Sequence, residues 1–82
     1  MKMDIEKLDD DVLALLFLTA FREDRDSAWR TWKTQDWEVM NRLHEKGYIA
    51  DPRSKAKSVV LSKEGFERAK ALFEAKYGEI TD

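Results

Sequence analysis

The sequence predicts a single α+β domain of three main helices and a small antiparallel β-hairpin. Three observations lead there. Three stretches carry apolar residues at helical spacing, each with a capping or stopping residue beside it. Between the second and third lies "HEKGYIADPRSKAKSVVLSKEG", His44 to Gly65, which holds two of the three glycines and the only proline. Finally, 82 residues suit one domain, which at this size buries about 60–65% of its unfolded surface.

Composition narrows the function classes. The apolar fraction of 43% and nine aromatic residues support a packed core. With no cysteine, disulfides, thiolate metal sites and cysteine nucleophiles are excluded. The longest apolar run, Val12 to Phe21, has ten residues, roughly half of a membrane span. The acidic start "MKMDIEKLDDD" does not resemble a signal peptide. A cytoplasmic protein without membrane contact is expected. Charge is unevenly spread: residues 1–26 carry net −4, residues 27–62 net +3 and residues 63–82 net −1. A basic middle on an acidic chain points mildly to an anionic partner.

The first helix is expected over about Leu8 to Arg22, opened by Asp9, Asp10 and Asp11, whose carboxylates would oppose the positive end of the helix dipole. Nothing nearby completes a metal site around them, so no metal is expected. The apolar residues of this segment, Leu13 and Phe17 among them, circle the helix, which implies cover on all sides. An 82-residue chain has little material for that, so a homodimer through the first helix is expected.

"REDRDS", 22–27, reads as a charged loop. "AWRTWK", 28–33, suits either a helical turn or a short strand, with tryptophan and threonine favouring the strand. The second helix is expected from Gln35 to Lys46, capped by Thr34, with Trp37, Val39, Met40 and Leu43 inward and Glu38, Asn41, Arg42, Glu45 and Lys46 outward. Gly47 would end it in a left-handed conformation. A hairpin follows, with Tyr48 and Ile49 in one arm, a turn at Asp51-Pro52, Arg53 near the tip, and "SVVLS" in the other arm with Val59 and Leu61 inward. Ser62 caps a third helix, Lys63 to Tyr77, closed by Gly78, with Phe66, Ala69, Leu72, Phe73 and Tyr77 on one face. Residues 1–7 and 78–82 are expected to be loosely ordered.

Leu43, Gly47, Tyr48 and Ile49, then Leu61, Ser62, Glu64 and Gly65, resemble the recognition helix, wing and following helix of winged-helix regulators of the MarR and PadR type. The resemblance covers about residues 35–77. The whole chain also looks like a family of short bacterial proteins without assigned function. The winged-helix resemblance implies a transcription-regulator-like protein that binds duplex DNA. The second helix (Gln35, Asn41, Arg42 and Lys46) would approach base edges, and the wing (Arg53, Lys55 and Lys57) would contact phosphate. Only residues 23–34 are available for the further helix that such folds place before the recognition helix, so that helix is expected to be short or absent.

About four phosphate contacts per chain would give a salt slope near −3.6, so useful binding needs about eight contacts from a dimer. The alternative is a protein-interaction module of the same fold, making contact through its acidic face or its tryptophan-rich segment. For that alternative, Trp29, Trp32, Leu13 and Phe17 are the interface candidates, since tryptophan is enriched at interfaces. His44, the only histidine, is expected to cap or pack. No Ser–His–Asp pattern, phosphate-cradling glycine loop or metal-ligand spacing is present, so no catalytic residue and no cofactor is expected.

Overall fold

The computed structural model describes residues 3–33 and 36–78. Their order is α1 (Ile5–Leu18), β1 (Arg30–Trp32), α2 (Trp37–Glu45), β2 (Ser58–Val60) and α3 (Lys63–Tyr77). Three helices with a two-stranded antiparallel sheet make the α+β layout that the sequence predicts, and the order is compatible with a winged-helix-like arrangement. Thr34 and Gln35, the expected cap and first residue of the second helix, lie outside the described residues, as do Met1, Lys2 and 79–82.

Helix α1 starts at Ile5, within the stretch expected to be loose, and Asp4 caps it by accepting the Lys7 N–H at 3.0 Å. Asp9, Asp10 and Asp11 therefore lie inside the helix instead of opening it. The helix stops at Leu18, short of Arg22, because its last carbonyls find partners outside it. The buried Thr31 hydroxyl of β1 donates to the Leu16 carbonyl at 2.7 Å, and the Thr19 hydroxyl lies 3.0 Å from that of Thr31. Beyond this knot the chain is extended, and Phe21 pairs with Arg30. No helix lies between α1 and α2 among the described residues.

The sheet differs from the expected hairpin. β2 takes β1 as its partner, with Arg30 opposite Val60 and Trp32 opposite Ser58. The Tyr48–Ile49 arm contributes a single bridge, Ile49 to Leu61. Pro52 follows too closely for more, since it has no N–H for the ladder. The "AWRTWK" segment thus holds the strand, and the wing reduces to the turn over 51–57. Val59 and Leu61 face inward as expected.

The core gathers Leu13 and Leu16 from α1, Val39, Met40 and Leu43 from α2, Ile49, Val59, Leu61, and Ala69 from α3. Helix α1 packs chiefly on α3, where Phe17 meets Phe66 and Phe73 with ring centroids 5.6 and 5.4 Å apart. Trp37 was expected inside but is 54% exposed. Asp36 caps α2 with a carboxylate that accepts the Glu38 and Val39 N–H groups, which places Trp37 at the first helical position, before the helix meets the core. Tyr77 is also exposed, at the far end of α3.

Two glycines set the junction between α2, the wing and α3. Gly47 adopts φ +81° and the chain leaves α2 through paired bonds, Gly47 N–H to the His44 carbonyl and Tyr48 N–H to the Leu43 carbonyl. Tyr48 then crosses the start of α3 so closely that its carbonyl occupies the space a Cβ on Gly65 would need. Its carbonyl also accepts the Ser62 N–H at 2.9 Å, while the Ser62 hydroxyl donates to the Gly47 carbonyl at 2.6 Å and accepts the Gly65 N–H at 2.9 Å. The two positions differ in what substitution meets. Gly47→Ala faces open space and only the left-handed backbone penalty, about 1 kcal/mol. Gly65→Ala must displace backbone, an overpacking cost of about 2–3 kcal/mol. Urea denaturation of the two variants is expected to rank Gly65→Ala as clearly the more damaging.

Candidate functional site

The sequence nominates the outer face of α2 and the wing, and the structure distributes those residues unequally. The side chain of Asp9 on α1 is 0% exposed. A carboxylate taken out of water needs charged partners, and α2 supplies them. Arg42 Nε donates to Asp9 Oδ2 at 2.8 Å, Arg42 Nη2 to Oδ1 at 2.9 Å, and Lys46 Nζ to Oδ2 at 3.1 Å. Lys46 also reaches Glu6 at 3.1 Å. Arg42 and Lys46 sit four residues apart, one turn of helix, and so close on one carboxylate together. Both were expected to point outward; both turn to α1.

The neighbouring aspartates do the same toward α3. Asp10 pairs with Arg68 at 3.1 Å and Asp11 with Lys76 at 2.6 Å. Successive helix positions are 100° apart, so three consecutive carboxylates reach different neighbours.

What α2 leaves in solvent is acidic. Trp37, Asn41 and Glu45 follow one another at four-residue spacing and are exposed, with Glu38 beside them and Asp36 at the cap. Of the residues nominated for base contact, only Asn41 is both described and exposed on this face without an ion-pair commitment. In the wing, Arg53 is held by Asp51 through its Nε and Nη2, each at 3.0 Å, and through its backbone N–H. This grip holds the Asp51 carboxyl down at about 2. Lys55 and Lys57 are exposed and pair with no carboxylate among the described residues. Lys33 braces the turn by donating to the Ser54 carbonyl at 2.7 Å. A hollow of about 280 Å³ between α2 and the wing is lined by Asn41, His44, Glu45 and Arg53, so Asn41 and Arg53 are brought together. His44 Nδ1 donates to the Ile49 carbonyl at 3.0 Å, the packed role expected of it.

The nominated interface residues also separate. Leu13 is fully buried within the chain and offers no surface, and Phe17 is largely spent on Phe66 and Phe73. Trp29 stacks on Phe66 with centroids 4.4 Å apart and planes 12° from parallel. Trp32 is 51% exposed, with the Phe21 ring against it at 5.3 Å. Leu15 and Leu18 of α1 are exposed at 51% and 64%. Trp37 belongs to the tryptophan-rich segment 28–37 named for the interaction alternative, although its spacing also put it in the core; Leu15 and Leu18 were not singled out, because a helical period does not say which of several apolar faces meets the core.

A family model described as a domain of unknown function, DUF6429, matches residues 4–79. The chain belongs to the DUF6429 family. An uncharacterized protein of Sinorhizobium fredii, y4hR, is 48% identical over 73 residues, which cover 89% of this chain and 92% of the relative. No solved structure matches the chain. The expected resemblance to a short bacterial family without assigned function thus holds for this DUF6429 domain. No helix among the described residues is long and apolar enough to cross a membrane.

Two measurements check these electrostatics. The Arg42 guanidinium lowers the Asp9 carboxyl below the usual 3.8, against burial, which pushes it up, and Lys46 adds to the lowering. A folded-state value below the unfolded one stabilises the fold above the ordinary carboxylate range, and this contribution fades as pH falls toward the folded value. Asp9→Ala is therefore expected to cost about 2–3 kcal/mol near neutral pH, less than for a sealed pair because Arg42 and Lys46 can turn to solvent. The gap to the native chain should narrow as pH falls through the ordinary carboxylate range toward the lower folded-state value of Asp9 in denaturation series. Asp10→Ala and Asp11→Ala, which break solvent-screened pairs, should change stability little. In a carboxyl-carbon NMR titration, Asp51 is expected to titrate near 2 in the native chain and to rise in Arg53→Ala while staying below the ordinary range, because the backbone N–H of residue 53 still donates to it.

Proposed function

We propose that this DUF6429 domain is a protein-interaction module of winged-helix-like layout, and that the exposed face of α2 receives a cationic, partly apolar polypeptide. The observation that carries this reading is the combination on one helix of an inward cation pair and an outward acidic face around Trp37. Arg42 and Lys46 are held by Asp9, while Glu38 and Glu45 share the exposed side of the helix with the Trp37 indole. Carboxylates on that face would meet DNA phosphates with repulsion. A half-exposed tryptophan at one end of an acidic helix face has the make-up of a protein hot spot, with the charges steering and the ring supplying apolar area. Such a module works by binding and not by catalysis.

A nucleic-acid reading is supported by Lys55 and Lys57 in the wing, which are exposed and pair with no carboxylate among the described residues. Two lysines per chain are too few by counter-ion arithmetic, so this reading needs a homodimer, for which Leu15 and Leu18 on α1 offer the surface.

Fluorescence anisotropy with three labelled probes separates the readings: a Lys/Leu peptide, a Glu/Leu peptide of equal length and a random DNA duplex. The Lys/Leu peptide is expected to bind at physiological salt and the other two are not. Trp37→Ala and the pair Glu38→Lys, Glu45→Lys should each weaken peptide binding at least tenfold, with folding checked by circular dichroism. Failure of the peptide to bind overturns the proposal. Salt-dependent duplex binding that disappears in Lys55→Ala, Lys57→Ala replaces it with the nucleic-acid reading.

A further inference from the structure

At the end of the sheet away from the wing turn, an open groove of about 510 Å³ runs between the 22–29 loop and the first half of α3. Its size is in the range of small-molecule sites. Trp29 and Phe66, stacked nearly parallel at 4.4 Å, form its apolar floor. Arg22 covers the Trp29 ring with its guanidinium carbon 4.6 Å from the centroid. Lys63 and Lys70 also line it, and they sit on the same α3 face as Phe66, about 10.5 Å apart along the helix axis. Glu67 is the one carboxylate in the lining.

The charge balance is unusual for this chain. Elsewhere the cations of α2 and α3 are spent on the aspartates of α1, as Arg42, Lys46, Arg68 and Lys76 are. Lys63 and Lys70 pair with no carboxylate among the described residues, and Arg22 reaches the Arg25 carbonyl and the Trp29 ring, with Asp24 near enough to feel its charge. Three cations and one carboxylate beside a stacked aromatic pair, on a chain of net charge −2, give the groove a positive balance and an apolar wall.

We propose that this groove binds a small organic anion with a flat apolar body. The body packs against the edges of the stacked Trp29 and Phe66 rings, where edge-to-face aromatic contact adds to burial. The anionic group meets Lys63 or Lys70, whose ammonium donors form charge-assisted hydrogen bonds with either a carboxylate or a phosphate. The site is separate from the α2 face and does not depend on what that face binds.

Isothermal titration of the full chain with 2-naphthoate, 2-naphthyl phosphate and uncharged 2-naphthylmethanol tests the proposal and tells carboxylate from phosphate. At least one anion is expected to bind at a single site at least tenfold more tightly than the alcohol, and in a nitrogen–proton correlation spectrum the Trp29 indole N–H should shift more than those of Trp32 and Trp37. Lys63→Gln with Lys70→Gln, both at exposed positions and checked for fold by circular dichroism, should remove at least tenfold of the anion affinity and leave the alcohol unchanged. Anions that bind no better than the alcohol, or that do not saturate the protein, overturn the proposal. So does a double variant that binds as the native chain does, or an unmoved Trp29 signal.

Discussion

A single carboxylate, Asp9, is the constraint from which most of the candidate surface follows. It stands on the inner side of α1 with no exposure to water, and α2 satisfies it with Arg42 and Lys46. Meeting that demand sets the rotation of α2 about its axis. With the two cations turned to α1, Val39, Met40 and Leu43 fall into the core, and Trp37, Asn41 and Glu45 fall outside. The acidic outer face and the inward cations are therefore two consequences of one buried charge. A helix that looks mixed in charge along the sequence is segregated in space.

The remaining architecture is held by short-range backbone devices. The Thr31 hydroxyl ties β1 to the end of α1. The Gly47 turn and the glycine at position 65 let Tyr48 cross directly over the start of α3, where Ser62 bonds to both sides of the crossing. These contacts bring the sheet, the wing turn and α3 together in a chain too small to rely on a large core. They also place Trp29 on Phe66, so the aromatic floor of the groove is a by-product of the way β1 is anchored.

Much of the fold was legible from residues whose meaning is local. Ser62 and Gly78 bounded the third helix, Gly47 ended the second, and the alternation in "SVVLS" gave Val59 and Leu61 their inward direction. What sequence alone misread was non-local. Asp9, Asp10 and Asp11 looked like a helix start because a carboxylate cluster is equally suited to a first turn and to cross-helix pairing, and only the partners decide. The partners are 33, 58 and 65 residues away in the chain. β2 had two candidate partners of similar propensity, and Pro52 decided against the nearer one. Trp37 had the right spacing for the core but falls at the first helical position, set by a cap at Asp36 instead of Thr34. The candidate site inherits this division: the wing turn could be read from its own residues, whereas the commitment of Arg42 and Lys46 could not.

The most direct test is a double-mutant cycle on stability, with Asp9→Asn, Arg42→Gln and the double variant compared with the native chain by urea denaturation. If the buried carboxylate orients α2, the two changes remove the same interaction, and the double variant should be scarcely less stable than either single one. If the two costs simply add, Arg42 is not bound to Asp9 in solution, its charge is available at the surface, and the acidic α2 face described above does not exist.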